Sequence, residues 1–216
     1  KRNPKKVSLY DDITPPNGTH IVFSQIGQDI EQYDWWAYGR SYADDAIRVF
    51  ADGYTYSIRK PNNDGFVKID DYKQRGIHMT EGSVIDGYNV IIDGSNNSAD
   101  STERGIWLAL QSYGWFENLE ISNNNWCGLC VYENSQSHLR SSNSFFQNGI
   151  GIYVGLSSSL ANNSSVSLNN NIDYGIHINQ GMMLSSEGTN NNITITSTNS
   201  GKAFQADFSN IQINGM

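Results

Sequence analysis

Gly105-Ile-Trp-Leu, Gly128-Leu-Cys-Val, Gly151-Ile-Tyr-Val and Gly175-Ile-His-Ile speak one phrase four times between residues 105 and 178, with glycine-to-glycine steps of 23, 23 and 24 residues. Self-similarity at such a period marks a stacked-repeat architecture in which each unit buries its apolar face on its neighbours. An earlier copy, Gly76-Ile-His-Met79, stands 29 residues before Gly105, and the longer interval predicts a loop at Ser95–Glu103. A second register runs beside the first: Asn89-Val90-x-Ile92, Asn118-Leu119-x-Ile121, Asn192-Ile193-x-Ile195 and Asn210-Ile211-x-Ile213, with Asn143-Ser144-x-Phe146 and Ser165-Val166-x-Leu168 as weaker members. Apolar residues at alternate positions read as strands. Two strand phrases per coil, separated by Asn- and Gly-rich turns, make a coil with at least two sheet faces.

The return paths Ser122-Asn-Asn-Asn and Asn169-Asn-Asn are poor in helix formers, which argues against a leucine-rich repeat. A propeller blade needs about 40 residues, nearly twice this period. A unit of strand and turn at this period fits one rung of a parallel β-helix. Gly76 to Ile213, roughly two-thirds of the chain, resembles the right-handed parallel β-helix repeats of the pectate-lyase-like superfamily, with Ile85-Asp-Gly-Tyr-Asn-Val-Ile-Ile-Asp-Gly94 and Phe116-Glu-Asn-Leu-Glu-Ile-Ser-Asn-Asn124 in that family's strand wording. The resemblance implies an all-β, single-stranded solenoid. It also implies the company of phage tailspikes, which are commonly trimers, and of polysaccharide lyases and hydrolases. Residues 1–46, punctuated by Pro4, Pro15, Pro16 and Gly18, are expected to form an irregular leader and cap, and residues 47–216 the β-helix, continuing past the C-terminus in a longer protein.

Composition narrows the partners. The chain of 216 residues has a formal charge of −8, but Lys1, Arg2, Lys5 and Lys6 supply four of its 14 basic residues; residues 7–216 hold ten basic against 22 acidic, a balance of −12. Phosphate binding needs clustered Lys and Arg, so nucleic acid is excluded as a partner. No apolar run approaches the ~20 residues of a membrane span, so no membrane insertion is expected. From Gly105 onward only eight charges occur, and Asn, Ser, Gly and Thr supply the polarity, as suits an extracellular or virion surface. Cys127 and Cys130 would be about 10 Å apart on one extended strand, and only a turn at Cys127 would let them bond; two free thiols are expected. No cofactor and no metal site is expected.

In each phrase the inward residues are Ile106 and Leu108, Leu129 and Val131, Ile152 and Val154, Ile176 and Ile178. The glycine is expected to mark a corner with positive φ. The asparagines Asn89, Asn118, Asn143, Asn192 and Asn210 are expected to stack as a structural ladder of side-chain amides. The outward stripe reads His78, Trp107, Cys130, Tyr153, His177, with Tyr132 beside it. Outward aromatics stacked on a flat sheet offer a platform to sugar rings, so Trp107, Tyr132, Tyr153 and His177, with Trp35 and Trp36 of the aromatic-rich Tyr33–Arg40 segment, are the candidate carbohydrate contacts.

Catalytic candidates are weaker. A lyase needs a cation facing a uronate carboxylate and a base, for which Arg104 and His78 are the candidates, with Arg75 at the position matching Arg104; a hydrolase needs two facing carboxylates, for which Glu117 and Glu133 are the candidates. The expected function is therefore a carbohydrate-recognising β-helix segment of a tail fibre, tailspike or comparable surface adhesin, binding cell-surface or extracellular polysaccharide as a homotrimer. A secreted lyase or hydrolase and a purely structural stalk are the alternatives.

Overall fold

The computed structural model describes residues 21–23, 29–31, 36–38, 45–49, 55–59, 66–70, 72, 74–94, 102–185, 192–196 and 201–213. Its strands form two sheets, and every strand pairing among the described residues is parallel. The glycine phrases make one of them. In order, Ile21–Phe23, Asp45–Val49, Arg75–Met79, Arg104–Leu108, Cys127–Val131, Ile150–Gly155, Tyr174–Asn179 and Lys202–Asp207 lie side by side. Register steps of 29, 23, 23, 24 and 28 residues carry Arg75 to Arg104, Cys127, Ile150, Tyr174 and Lys202. The fold is a right-handed parallel β-helix, the hand that parallel crossovers take. The strands Ile21–Phe23, Asp29–Glu31 and Trp36–Tyr38 carry the same ladders back into the segment expected to form the cap.

The second sheet is built on long strands: Val84–Asp93, Tyr113–Ser122, Gln136–Phe146 and Ser159–Asn169. The first two alternate buried and half-buried residues, then break phase at Asn89 and Asn118, which take φ of 53° each; the third breaks at Ser141, φ 60°. One left-handed residue bends the strand, and asparagine tolerates that conformation better than most. At both ends of the stack the halves separate into distinct strands. Thr55–Arg59 and Val67–Asp70 flank one side, Met182–Ser185 and Ile193–Thr196 the other. Each coil thus has three faces. The added face, the first half of each long strand, escaped the sequence because its inward positions share no residue type: Ile85, Gly114, Ser137 and Leu160 stack on one another.

The interior is a continuous column of aliphatic side chains, with Ile77, Ile106, Leu129, Ile152 and Ile176 in register and each at most 1% exposed. At about 1.5–3 kcal/mol for each fully buried side chain, these columns explain the repeat without any ligand. The glycines of the phrase need correction. Among the described residues the only glycine at positive φ is Gly82, so Gly105, Gly128, Gly151 and Gly175 are not left-handed corners. They are places with no room. A Cβ on Gly128 would lie 2.8 Å from the Gly151 carbonyl oxygen of the next rung and 3.2 Å from Phe145.

The asparagine ladder is shorter than expected. Asn118 donates to Asn89 Oδ1 at 3.0 Å, and the Ser142 amide donates to Asn118 Oδ1 at 3.4 Å. Between Glu117 and Glu120 the third long strand gains one residue, which puts Asn143 level with Leu119. Asn143 is buried and accepts from the Leu119 amide at 3.1 Å. The same bulge turns Phe145 inward, fully buried, and Ser144 outward. Asn210 pairs with Met182 at the start of a different face, so it cannot continue the ladder, and Asn192 is exposed at the bend.

Two other polar columns run inside the turns. Ser112 and Ser135 donate their backbone amides to the hydroxyls of Ser135 and Ser158 at 3.1 Å. Asn124, Asn148 and Asn171 stack just before the glycine phrases, all at most 5% exposed.

Candidate functional site: an aromatic platform on the glycine sheet

The outward column of the glycine sheet holds His78, Trp107, Cys130, Tyr153, His177 and Gln205 in register. The column before the glycines runs parallel to it: Arg75, Arg104, Cys127, Ile150, Tyr174 and Lys202. Trp126, at the corner before Cys127, and Tyr132, just past Val131, fold over the same face. Their rings form a continuous tilted stack. Trp107 lies 5.6 Å from Trp126 and 5.3 Å from Tyr132, and Tyr153 lies 5.7 Å from Trp126 and 6.0 Å from Tyr132. His177 meets Tyr153 edge-on at 5.3 Å and Tyr174 at 4.7 Å. The structure therefore brings together Trp107, Tyr132, Tyr153 and His177. It adds Trp126 and Tyr174, which sequence reasoning missed. Following the position of Arg75 and Arg104 down the repeats to Cys127, Ile150 and Tyr174 is the signal that would have found Tyr174.

The floor of the platform is a disulfide. Cys127 and Cys130 are joined, both fully buried under the rings, and no described cysteine is free. This overturns the expected free thiols. The chain bends at the corner beside Gly128, so the two Cα atoms are 6.2 Å apart instead of the ~10 Å of an extended strand. Thiol titration of the denatured, unreduced chain is expected to find no reactive thiol, and two after reduction. By the chain-entropy estimate for so short a loop, Cys127→Ser with Cys130→Ser is expected to cost about 2 kcal/mol of stability in chemical denaturation.

Charge is placed around the rings. The Arg104 guanidinium lies 4.2 Å from the Trp107 ring centre and 4.1 Å from that of Trp126, and it donates to the Thr102 carbonyl at 2.7 Å. A guanidinium between two indoles is held as a cation, so Arg104 is placed to bind and to orient, not to take up a proton. At the other end Lys202 Nζ stands 5.8 Å from the Tyr174 ring, and His177 Nε2 meets Asp207 Oδ2 at 3.1 Å. Hydrogen bonds from Gln205 and then His177 hold the Asp207 carboxyl below its usual range. Burial pushes the Tyr153 phenol up, with the neighbouring Tyr132 adding to it and a hydrogen bond with Asn179 opposing it.

The hydrolase candidates do not converge, whereas the lyase candidates His78 and Arg104 both lie beside Trp107. His78 is 7% exposed in the column above Trp107. Glu117 faces out from a long strand, 3.7 Å from Arg140 and 3.2 Å from the Ser141 hydroxyl. Glu133 sits in a turn with φ 53°, where its carbonyl accepts from the Gln111 amide at 3.0 Å. From Tyr113, two residues past Gln111, about 13 Å of extended strand leads to Glu117, so the two carboxylates do not face each other across a reacting bond. Among the described residues, no group of His, Cys, Asp and Glu could hold a metal ion, and no helix is long and apolar enough to cross a membrane. Trp35 lies outside the described residues. Trp36 pairs in backbone register with Lys68 of the other sheet, away from the platform.

A smaller cluster on the first-half face also escaped the sequence. Trp115 stacks on His138 at 5.2 Å, and Arg140 covers the Trp115 ring at 3.9 Å. Burial and then Arg140 hold the His138 imidazole below its usual range, with Glu117 opposing. A lowered folded-state pKa means that the unfolded chain binds more protons in the window just below the ordinary histidine value. Stability is therefore full above that window and falls as pH drops through it. Thermal melts between pH 7 and pH 5 are expected to show a falling Tm, with a shallower fall in His138→Gln.

The family model described as right handed beta helix region matches residues 61–215. Comparisons with curated proteins and with solved structures returned no match.

Proposed function

We propose, from the premise that the chain belongs to the right handed beta helix family, that it is a carbohydrate-recognising segment of an extracellular or virion-surface protein of tail-fibre, tailspike or adhesin type. The single observation that carries this reading is the platform of Trp107, Trp126, Tyr132, Tyr153, Tyr174 and His177 on the outside of a flat parallel sheet. Sugar rings present C–H faces that pack on aromatic faces, and Trp107, Trp126, Tyr132, Tyr174 and His177 are half-buried, each keeping part of its surface open to a partner, over the buried Tyr153. The rigid ladder holds the rings at fixed spacing, so little order has to be gained on binding. The proposed assembly is a homotrimer, which light scattering tests directly.

The deciding experiment is a glycan array followed by calorimetry on the strongest hit. Trp107→Ala and Tyr153→Ala are each expected to weaken binding by about tenfold or more, the scale of one good aromatic anchor. An array blank for the wild-type chain, or variants that bind as the wild type does, overturns the reading.

A further inference from the structure

Bending three of the four long strands at a left-handed residue, Asn89, Asn118 and Ser141, leaves a second concave surface, on a different face from the platform. It is a groove of about 610 Å³ that runs along the solenoid axis. One column, Asn89, Asn118, Ser142, Ser165 and Asn192, follows the bend from rung to rung. The column beside it includes Glu120, Ser144, Ser167 and Thr194, which face outward between buried or half-buried residues that face the core. Phe66, 49% exposed and next to the Val67 that pairs with Val90, closes one end.

We propose that this groove is a second binding site, for an extended and uncharged polyhydroxylated chain such as a neutral oligosaccharide. Four observations select that class. The four long strands beneath the groove are paired on both sides, so their backbone is committed to the ladder and an extended peptide finds no open edge along them; among the described strands of the groove only Ile193–Thr196, at one end, pairs on a single side. Among the described residues of the lining, amides and hydroxyls dominate and Glu120 is the single ionisable group, a carboxylate that repels uronates, sulfates and phosphates. Donors and acceptors recur at the rung spacing of about 4.8 Å, so five rungs offer roughly 19 Å of repeated polar contact to a ligand that repeats its own hydroxyls. Phe66 supplies one apolar face on which a terminal ring can pack. The platform, by contrast, carries Arg104 and Lys202, so the two surfaces select for different charge.

The groove stands independently of the platform reading, and the experiment separates them. Maltohexaose, cellohexaose and a hexamer of N-acetylglucosamine are titrated into the whole chain by calorimetry, with a hexauronate as the charged comparison. At least one neutral hexamer is expected to bind with Kd below about 1 mM, and the hexauronate to bind at least about tenfold more weakly at this groove. Ser144→Trp and Ser167→Trp, which fill the groove from outward positions, are expected to weaken the neutral hexamer by about tenfold or more, and to do so equally in a Trp107→Ala background, where the platform is impaired. Each variant is first checked for an unaltered melt; should the tryptophans perturb folding, Asn192→Ala with Thr194→Val removes the polar contacts at one end and is expected to cost about threefold or more. The proposal is overturned if no neutral hexamer binds up to about 10 mM, if the filled variants bind as the wild type does, or if Trp107→Ala alone abolishes binding. The last result would assign all recognition to the platform.

Discussion

Replacing Asn148 by leucine is expected to lower stability by about 3–5 kcal/mol, although the two side chains have the same number and branching of heavy atoms. Asn148 is fully buried at the centre of the column that runs from Tyr72 through Asn124 to Asn171. Its Oδ1 accepts from the Asn124 amide at 3.1 Å and from Asn124 Nδ2 at 3.0 Å, and its Nδ2 donates to the Ile121 carbonyl at 3.1 Å. Leucine strands the Asn124 N–H away from water at a cost of about 1–3 kcal/mol and forfeits the remaining bonds at about 1 kcal/mol each. In a chain of this size, that is a drop of roughly 10 °C in Tm. Asn148→Asp keeps the acceptor but loses the donor and buries a charge, so it is expected to do no better. Asn192→Ala, at an exposed position of the expected ladder, is expected to stay within about 0.5 kcal/mol. Urea denaturation checks all three, and amide exchange at Asn124 identifies the stranded donor. If Asn148→Leu melted within about 2 °C of the wild type, the column would be ornament to a core that holds the turn by itself.

That contrast shows where sequence reading works on such a chain. The glycine phrase and its inward aliphatics were legible because side-chain burial on a strand has period two and stacking has the period of the coil, and both leave marks in residue type. The long strands were only half legible. Their second half repeats Asn and two aliphatics, whereas the first half stacks Ile85, Gly114, Ser137 and Leu160, a column that passes from aliphatic to glycine to hydroxyl and back and so leaves no repeated residue type. Asn143 was misplaced by one residue, because a bulge between Glu117 and Glu120 changes the register without changing the local wording. The buried column of Asn124, Asn148 and Asn171 went unseen among so many surface asparagines, since composition cannot distinguish an amide that faces water from one that closes a turn. The platform was legible along one column and missed where it is made at a corner. Trp126 and the Cys127–Cys130 bridge depend on the bend beside Gly128, and strand periodicity carries no information about a bend.

The glycines offer the sharpest test, because two physical accounts of the same residue predict opposite orders of variants. If Gly151 were a left-handed corner, alanine there would be strained and asparagine would restore much of the loss. The structure places no positive φ at Gly151. An added Cβ would stand 2.6 Å from the Gly175 carbonyl oxygen, 2.6 Å from Leu168 Cδ2 and 2.9 Å from Asn171 Nδ2. The carbonyl belongs to the next rung's backbone and cannot yield without opening the ladder, while Leu168 and Asn171 are held by the core and by the buried amide column. Gly151→Ala is therefore expected to cost about 3 kcal/mol, the upper range for overpacking, and Gly151→Asn more than that. Gly82 should behave in the reverse way. It has φ of 76° and nothing within 4 Å of an added Cβ, so Gly82→Ala is expected to cost about 1 kcal/mol and Gly82→Asn less. Equilibrium denaturation of the four variants decides the matter. Asparagine better than alanine at position 151 would return the glycine phrase to a corner motif, and asparagine worse than alanine there, with the opposite order at position 82, identifies the phrase as the point where successive rungs come into backbone contact.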